Sequence, residues 1–230
     1  MGRYTTILWD LDQTLLDFGR SQDYALKYAF GQLGLSASDG TVALYAAIND
    51  SYWKRFERGE ITKEQVLTGR FEELFEKLSI TVYEAQDIAG IYQEALGSVA
   101  FYLEGAKELV TELKKQGYGQ YVVTNGVKIT QANKMKVSGL DQLVDGVFVS
   151  EAMGYPKPRK EYFDACLEQI PDVTKDQCIL VGDSLTSDMQ GANNAGIDAC
   201  WYNPKGLSNE LGVKTDYEIR YLWELWKIIA

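Results

Sequence analysis

The chain has 230 residues, a formal net charge of −10 at pH 7 and no histidine. Its acidity argues against binding to polymeric nucleic acid or to an anionic membrane, because both require basic surfaces. The lack of histidine excludes a Ser-His-Asp triad, a histidine-ligated zinc site and a histidine general base within this sequence. Any acid–base chemistry must therefore use carboxylates, lysine, tyrosine or cysteine.

The length suits one large or two small domains with a substantial core. No stretch is long and apolar enough to span a membrane, and no basic segment followed by an apolar one precedes the first strand. Cys166, Cys178 and Cys200 are odd in number and lie in apolar surroundings, which is typical of core thiols in a reducing compartment. We therefore expect a cytoplasmic protein without a membrane partner, either a monomer or a homodimer.

The first element is a predicted buried strand over residues 4–9, which are β-branched, aromatic or aliphatic. Asp10 and Asp12 follow at its carboxyl end, and side chains two residues apart in an extended segment point the same way. Two carboxylates that converge where water is scarce repel each other. A cation between them, or a proton on one of them, would relieve that repulsion, and either arrangement makes chemistry possible.

Residues from about 21 to about 99 carry helical periodicity and no strand signal. Apolar positions recur at helical spacing over 22–33 and 42–56, and a fourth helix is expected over 83–99. Thr62 to Gln65 forms a capping-box pattern that predicts the start of the third helix. An all-helical module therefore interrupts the sheet to which the first strand belongs.

From residue 105 onward, helical and strand patterns alternate. Short apolar strands are predicted over 120–124, 146–150, 178–181 and 199–202, with helices between them and a last strand and helix within 217–229. This alternation indicates an α/β fold with a parallel sheet covered on both faces. Such sheets bind ligands outside the carboxyl ends of their strands.

Polar side chains stand at those strand ends. Thr124, Asn125 and Gly126 follow one strand, and their hydroxyl, amide and free backbone suit a phosphate oxygen. Lys157 lies between two prolines that restrict its backbone, so its charge is presented from a fixed place.

The strand over 178–181 leads into Gly182 and Asp183, and Asp188 follows at the start of a helix, where it could also serve only as a cap. Asp183 thus repeats the situation of Asp10. Oxygen ligands of this kind suit a hard cation such as Mg²⁺, which also binds substrate phosphate.

These segments, in this order, resemble the motifs of the haloacid dehalogenase-like (HAD) hydrolase superfamily. The matching pieces are residues 10–14 (DLDQT), Thr124-Asn125, Lys157-Pro158 and 182–188. The resemblance covers the whole chain and implies a Rossmann-like, doubly wound parallel sheet in a core domain of residues 1–17 and 101–230. It also implies that residues 18–100 are a helical cap domain inserted after the first motif.

The resemblance implies a catalytic role for three residues. Asp10 would attack phosphorus and form an aspartyl-phosphate, and Asp12 would protonate the leaving oxygen and then take a proton from water. Lys157 would offset the charge on Asp10 and on the phosphoryl group. Thr124 and Asn125, together with Lys157, are the expected phosphate-binding residues.

The resemblance also implies a Mg²⁺ site held by Asp10, the backbone carbonyl of Asp12, and Asp183, with Asp188 in reach directly or through water. Dehalogenases of this superfamily lack an acid at the position of Asp12, so the chain resembles the members that transfer phosphoryl groups. It departs from the common pattern at Trp9, where phenylalanine is more usual, and at Gln13, where many members have glycine.

Three pieces of the chain are 11–18 (LDQTLLDF), 124–126 (TNG) before a polar helix, and 196–206 (GIDACWYNPKG). On these pieces, the chain is most similar within the superfamily to bacterial pyrimidine 5′-nucleotidases. Aromatic side chains in or near the cap could stack on a base, although most are expected to form the bundle interior. They are Phe18, Tyr24, Tyr28, Tyr45, Tyr52, Trp53 and Phe56. We therefore expect a phosphatase acting on small phosphomonoesters, with nucleoside 5′-monophosphates favoured.

Two enzymatic alternatives share the same motifs: a phosphatase for phosphoglycolate or sugar phosphates, and a phosphomutase of the β-phosphoglucomutase type. A mutase needs a second phosphate site, for which Lys54, Arg55 and Arg58 are candidates, although their spacing also suits a solvated helix face. A non-catalytic binding protein is a third alternative. The presence of every catalytic residue argues against it.

Overall fold

A computed structural model of the chain describes residues 2–230 and divides them into two compact units. One unit contains residues 2–17 and Phe101–Ala230, and the other contains Phe18–Ala100. The first unit is built on a parallel sheet and the second is a helical bundle. The predicted fold class, an α/β core with an inserted all-helical module, is confirmed.

The sheet of the core unit has six parallel strands in the order β3-β2-β1-β4-β5-β6. The strands are β1 (Thr6–Trp9), β2 (Gly119–Thr124), β3 (Gly146–Val149), β4 (Cys178–Gly182), β5 (Asp198–Tyr202) and β6 (Tyr217–Ile219). Every residue of β1 and β4 is buried, as expected for strands covered on both faces.

The register of the sheet brings three loops to one edge. Leu8 of β1 lies opposite Tyr121 of β2 and Leu180 of β4. β1 therefore lies between β2 and β4, and both neighbours run in register with it. Because parallel strands end at the same edge, the residues after β1, β2 and β4 are neighbours in space. The chain order reverses direction on either side of β1, which is where such sheets open a crevice for ligands.

Six helices flank this sheet: α5 (Ala106–Lys115), α6 (Lys128–Ser138), α7 (Ser150–Met153), α8 (Lys160–Leu167), α9 (Gln190–Ala195) and α10 (Trp226–Ile229). One face of the sheet is covered by an apolar cluster to which α8 contributes Tyr162, Phe163 and Cys166. The helix α7, which has a single turn, and the π-helical geometry of the turn over Leu185–Met189 were not predicted from the sequence.

The helical unit consists of α1 (Phe18–Gln32), α2 (Asp39–Glu57), α3 (Lys63–Leu78) and α4 (Ala85–Gly97), with no strand among its described residues. The capping box predicted for the third helix is present. Thr62 accepts a hydrogen bond from the backbone N–H of Gln65, and the Gln65 side chain accepts one from the backbone N–H of Thr62. No described helix has both the length and the hydropathy required to cross a membrane.

The three cysteines are buried free thiols, as predicted. Burial raises the pKa of each of them, Cys166, Cys178 and Cys200, to about 12. A thiol with such a high pKa is a poor nucleophile near neutral pH. The cysteines therefore serve the core and not the chemistry.

The expectation that most of the aromatic residues in the cap form the bundle interior is met in part. Of the seven, Tyr45 is fully buried in the bundle core, and Phe18 and Tyr52 are partly buried against it. Tyr24 and Tyr28 are 42% and 45% exposed. These two lie four residues apart on α1, opposite the face that buries Ala25 and Leu26, and their rings stack with centroids 6.2 Å apart.

The three basic residues considered for a second phosphate site are paired with acids of their own helix region. Lys54 binds Asp50, while Arg55 and Arg58 both approach Glu60. These pairs favour a solvated helix face, and they weaken the mutase alternative.

The interior of the helical unit holds one buried cation, Arg70 of α3. Its side chain is 1% exposed, and its Nη1 donates to Oδ1 of Asn49 over 2.6 Å. The guanidinium lies over the rings of Tyr92 and Phe71, with its Cζ 4.9 and 5.2 Å from their centroids. Within residues 2–230, its Nε and Nη2 have no hydrogen-bond partner, so Asn49 and the ring faces carry most of its compensation.

We expect Asn49→Leu to lower the free energy of unfolding by about 2–3 kcal/mol, because it leaves a buried guanidinium without its hydrogen-bonded acceptor. Urea unfolding followed by circular dichroism measures the change. The double variant Arg70→Met/Asn49→Leu should recover most of the loss, since both polar partners are then gone. Arg70→Met is the second single variant. If the losses of Asn49→Leu and Arg70→Met add up in the double variant, the result contradicts the pairing.

Candidate active site

The site begins at the residue that follows β1. Asp10 is buried, and its backbone N–H donates to the carbonyl oxygen of Val181 on β4 over 2.9 Å. This bond fixes the backbone from which the Asp10 side chain extends. Trp9, the last residue of β1, is fully buried, and its Nε1 donates to Oε1 of Gln120 over 3.2 Å. The larger residue at this position thus has the polar partner that a buried indole requires.

Lys157 binds Asp10 directly. Its Nζ is 2.6 Å from Oδ1 of Asp10, 2.7 Å from Oδ1 of Asp188 and 2.9 Å from the carbonyl oxygen of Val123. An ammonium group has three N–H donors, so these contacts use all of them. The side chain is 2% exposed, and its charge is therefore held in one place.

Asn125 holds the backbone of Lys157. Its Nδ2 donates to the carbonyl oxygen of Lys157 over 3.0 Å, and its Oδ1 accepts from the Lys157 N–H over 2.9 Å. Both ends of the amide are thus joined to the residue that carries the site's cation. Phosphate binding by Asn125 itself stays a prediction.

Three carboxylates meet beside Lys157. Asp10, Asp183 and Asp188 each place an oxygen within 4.8 Å of the others. Hard cations such as Mg²⁺ prefer ligands of this kind, so the donor set fits the predicted metal. The carboxylate of Asp12 is bound elsewhere, and the expected role of its backbone carbonyl as a metal ligand stays a prediction.

A glycine makes room for Asp188. A Cβ on Gly182 would lie 2.4 Å from Cγ and Oδ2 of Asp188, so only glycine fits at the end of β4. The turn over Leu185–Met189 then aims Asp188 back at the strand end, where its Oδ2 accepts from the N–H of Ser184 over 3.1 Å. Asp188 is therefore a buried member of the site and not a cap at a helix surface.

The charges of the site do not balance. Burial raises the pKa of Asp10 to about 7, and the nearby Asp188 carboxylate adds to this rise while Lys157 opposes it. Burial also acts to lower the pKa of Lys157, but Asp10 and Asp188 outweigh it and hold that pKa above its ordinary value. One ammonium faces three carboxylates, so the site has an excess of negative charge that a cation can balance.

Asp12 is held by two residues that the sequence did not reveal. Lys134 Nζ donates to Oδ1 of Asp12 over 2.7 Å, and Gln131 Nε2 donates to Oδ2 over 2.9 Å. Both lie on the polar helix α6, three residues apart and so on one face. This spacing of two polar side chains was the signal in the sequence. It can be linked to Asp12 only when the position of α6 is known.

Thr124 lies next to this group at the end of β2. Its Oγ1 accepts from Gln131 Nε2 over 2.8 Å and from the Gly126 N–H over 3.0 Å. Since both contacts use the oxygen as acceptor, the hydroxyl hydrogen is available to an anionic ligand.

Comparison with known proteins shows which family the chain resembles. The family model described as haloacid dehalogenase-like hydrolase matches residues 7–202. The HAD-hydrolase YfnB of Bacillus subtilis (strain 168) is 37% identical over 100% of this chain and 97% of its own length. The pyrimidine 5′-nucleotidase PynA of Streptococcus pneumoniae (strain ATCC BAA-255 / R6) is 34% identical over 94% of this chain and 91% of its own.

A solved structure is also similar. The crystal structure of YfnB from Bacillus subtilis bound to magnesium covers 98% of this chain and 98% of its own, with 36% identity and a TM-score of 0.93. The sequence and the fold agree, and the chain is an enzyme that belongs to the haloacid dehalogenase-like hydrolase family.

Proposed function

We propose that this protein is a Mg²⁺-dependent phosphomonoesterase that acts on pyrimidine nucleoside 5′-monophosphates through an aspartyl-phosphate on Asp10. The observation that carries the proposal is the bond between Asp10 and the buried Lys157, beside the carboxylates of Asp183 and Asp188. The name of PynA, a pyrimidine 5′-nucleotidase similar over 94% of this chain, supports the substrate class.

In the first half-reaction, a carboxylate oxygen of Asp10 attacks phosphorus and the bond to the leaving oxygen breaks. The carboxyl group of Asp12 gives its proton to that oxygen, so the nucleoside leaves as a neutral alcohol. In the second half-reaction, water attacks phosphorus, Asp12 takes its proton, and phosphate leaves Asp10. Two carboxylates two residues apart thus replace the histidine that the chain lacks.

Lys157 and Thr124 stabilise the phosphoryl group during transfer. Lys157 is already oriented by Asp10, Asp188 and the carbonyl oxygen of Val123, so its charge needs no rearrangement when the transition state forms. Thr124 offers its hydroxyl hydrogen to a phosphoryl oxygen. Asn125 contributes by holding the Lys157 backbone.

Asp10, Asp183 and Asp188 would hold the Mg²⁺, with the backbone carbonyl of Asp12 as a further ligand. When bound, the ion supplies positive charge that offsets the carboxylates and the phosphoryl oxygens. Asp10 and Asp188 also hold the Lys157 ammonium in place through the contacts described above.

A comparison of kcat/KM tests the substrate class. We expect UMP, dUMP and dTMP to be hydrolysed at least tenfold more efficiently than AMP, glucose 6-phosphate and phosphoglycolate, all at the same Mg²⁺ concentration. If a sugar phosphate or phosphoglycolate were tenfold better than the nucleotides, the nucleotidase proposal would fail and the phosphatase proposal would stand. No release of phosphate from any of them, or from p-nitrophenyl phosphate, would refute both.

Lys157→Met should lower kcat/KM by about 100-fold, or about 3 kcal/mol, if its loss resembles that of one oxyanion donor. Methionine keeps most of the buried volume, so circular dichroism should show a folded chain. Lys160→Met is the matched control, because Lys160 is an exposed neighbour that pairs with Asp164. A large loss in Lys160→Met with little loss in Lys157→Met would show that Lys160, and not Lys157, supplies the charge.

A further inference from the structure

Lys134 is a buried lysine outside the family motifs. Its side chain is 1% exposed, and lysine is rarely buried unless it is paired. Its Nζ lies 2.7 Å from Oδ1 of Asp12. Burying an ammonium is costly, so a lysine in this position calls for a reason beyond surface solvation.

Gln131 completes the arrangement from the adjacent turn of α6. Its Nε2 carries two hydrogens, and it donates to Oδ2 of Asp12 over 2.9 Å and to Oγ1 of Thr124 over 2.8 Å. Asp12 is therefore held by one donor on each oxygen, which fixes both the direction and the plane of the carboxylate. The contact also ties it to the residue assigned to the phosphoryl group.

Gly126 leaves the space that Gln131 occupies. A Cβ at residue 126 would lie 2.1 Å from Nε2 of Gln131 and 2.5 Å from its Cδ. The loop after β2 and the first turns of α6 are thus shaped around this amide. The site separates its charges: Lys157 serves Asp10 and Asp188, and Lys134 serves Asp12.

The exposure of Asp12 fits a group that exchanges protons. Its side chain is 25% exposed, compared with 11% for Asp10. The carboxylate is thus fixed at its base by buried donors while part of it remains open. A carboxyl group that transfers protons needs this combination, because proton transfer requires the donor and acceptor within hydrogen-bond reach.

We propose that Lys134 and Gln131 are positioning residues that hold the Asp12 carboxylate in the orientation for proton transfer to the leaving oxygen. The inference rests on the proposed function and concerns one step of it. Neither residue touches the reacting phosphoryl group in this assignment. Their effect passes through Asp12, so it depends on how much a substrate needs the proton that Asp12 gives.

Two aryl esters separate this role from a general structural one. Phenyl phosphate and p-nitrophenyl phosphate have similar shapes, but nitrophenolate is a stable anion that leaves without a proton. We expect Lys134→Met to lower kcat/KM for phenyl phosphate at least tenfold more than for p-nitrophenyl phosphate. Asp12→Asn should show the same preference more strongly, and adding Lys134→Met to Asp12→Asn should change little more.

Three further variants test the contact of Gln131 and provide a control. Gln131→Leu removes the neutral donor, and Gly126→Ala displaces it, so both should shift the ester preference in the same direction. Lys136→Met is the matched control, since Lys136 is an exposed lysine on the same helix, and its ester preference should equal that of the wild type. Thermal unfolding shows whether each variant is folded.

Equal losses on the two esters, or additive effects of Lys134→Met and Asp12→Asn, would overturn the positioning role while leaving the phosphatase function intact. If Lys134→Met does not fold, the same criteria apply to Gln131→Leu. A wild-type protein that releases phosphate neither from these two esters nor from the nucleotides and sugar phosphates named above would instead overturn the proposed function, and this inference with it.

Discussion

Asp10→Asn is expected to abolish hydrolysis, with kcat/KM at least about 10⁴-fold below the wild type, because no other group can form the covalent intermediate. The fold should survive. Asn keeps the shape of the side chain and removes one of three carboxylates that share a buried site with a single ammonium. Since burial already disfavours the charged form of Asp10, we expect no fall in the unfolding temperature.

A chemical trap tests the same residue independently of rate. Wild-type protein mixed with substrate and quenched in acid should carry a phosphoryl group on the peptide that contains Asp10, found by mass spectrometry. Asp10→Asn should carry none. With p-nitrophenyl phosphate, whose leaving group needs no proton, Asp12→Asn should still accumulate the group, because the step that removes it lacks its base. Normal turnover by Asp10→Asn would refute the assignment outright.

The sheet could be predicted from the sequence because its information is local. The strands are short apolar runs. Because β1 and β4 are buried on both faces, their apolar composition identifies them as strands of a parallel sheet. Parallel strands place their carboxyl ends together, so the sequence alone assigns Asp10, Thr124 and Asp183 to one edge of the sheet.

Contacts between distant segments could not be predicted in the same way. Lys134 and Asp12 are 122 residues apart in sequence, and the resemblance to a family covers only the motif positions. Asn125 was assigned to phosphate by its motif, but its amide pairs with the backbone of Lys157. Such pairings depend on the position of a helix or loop relative to the sheet, which composition and spacing do not set.

Gln13 illustrates a local feature that the motif comparison identified without its cause. The sequence showed glutamine where many relatives have glycine. In the structure its φ is 65°, in the left-handed region that glycine adopts without strain. The backbone N–H of Gln13 donates to the carbonyl oxygen of Leu16 over 2.7 Å, which closes the loop that carries Asp12. The preference for glycine there is a requirement of the backbone, and this chain meets it with a larger residue.

Removing divalent cations is expected to abolish activity, and Mg²⁺ should restore it. With only Lys157 beside them, the carboxylates of Asp10, Asp183 and Asp188 repel one another, and the phosphoryl group of a substrate would add further negative charge. After EDTA treatment and buffer exchange, we expect kcat/KM at least about 10³-fold below its value with Mg²⁺, since metal neutralisation is a large part of phosphoryl-transfer catalysis.

Asp183→Asn should need far more Mg²⁺ for half-maximal activity, because a neutral amide replaces a charged ligand. A second readout does not depend on turnover: Mg²⁺ should raise the unfolding temperature of the wild type, because a ligand that binds only the folded state stabilises it. The rise should be smaller in Asp183→Asn and unchanged in Asp141→Asn, where an exposed aspartate outside the site is altered. Full activity in metal-free buffer would show that Lys157 alone balances the site, and the metal assignment would then fail.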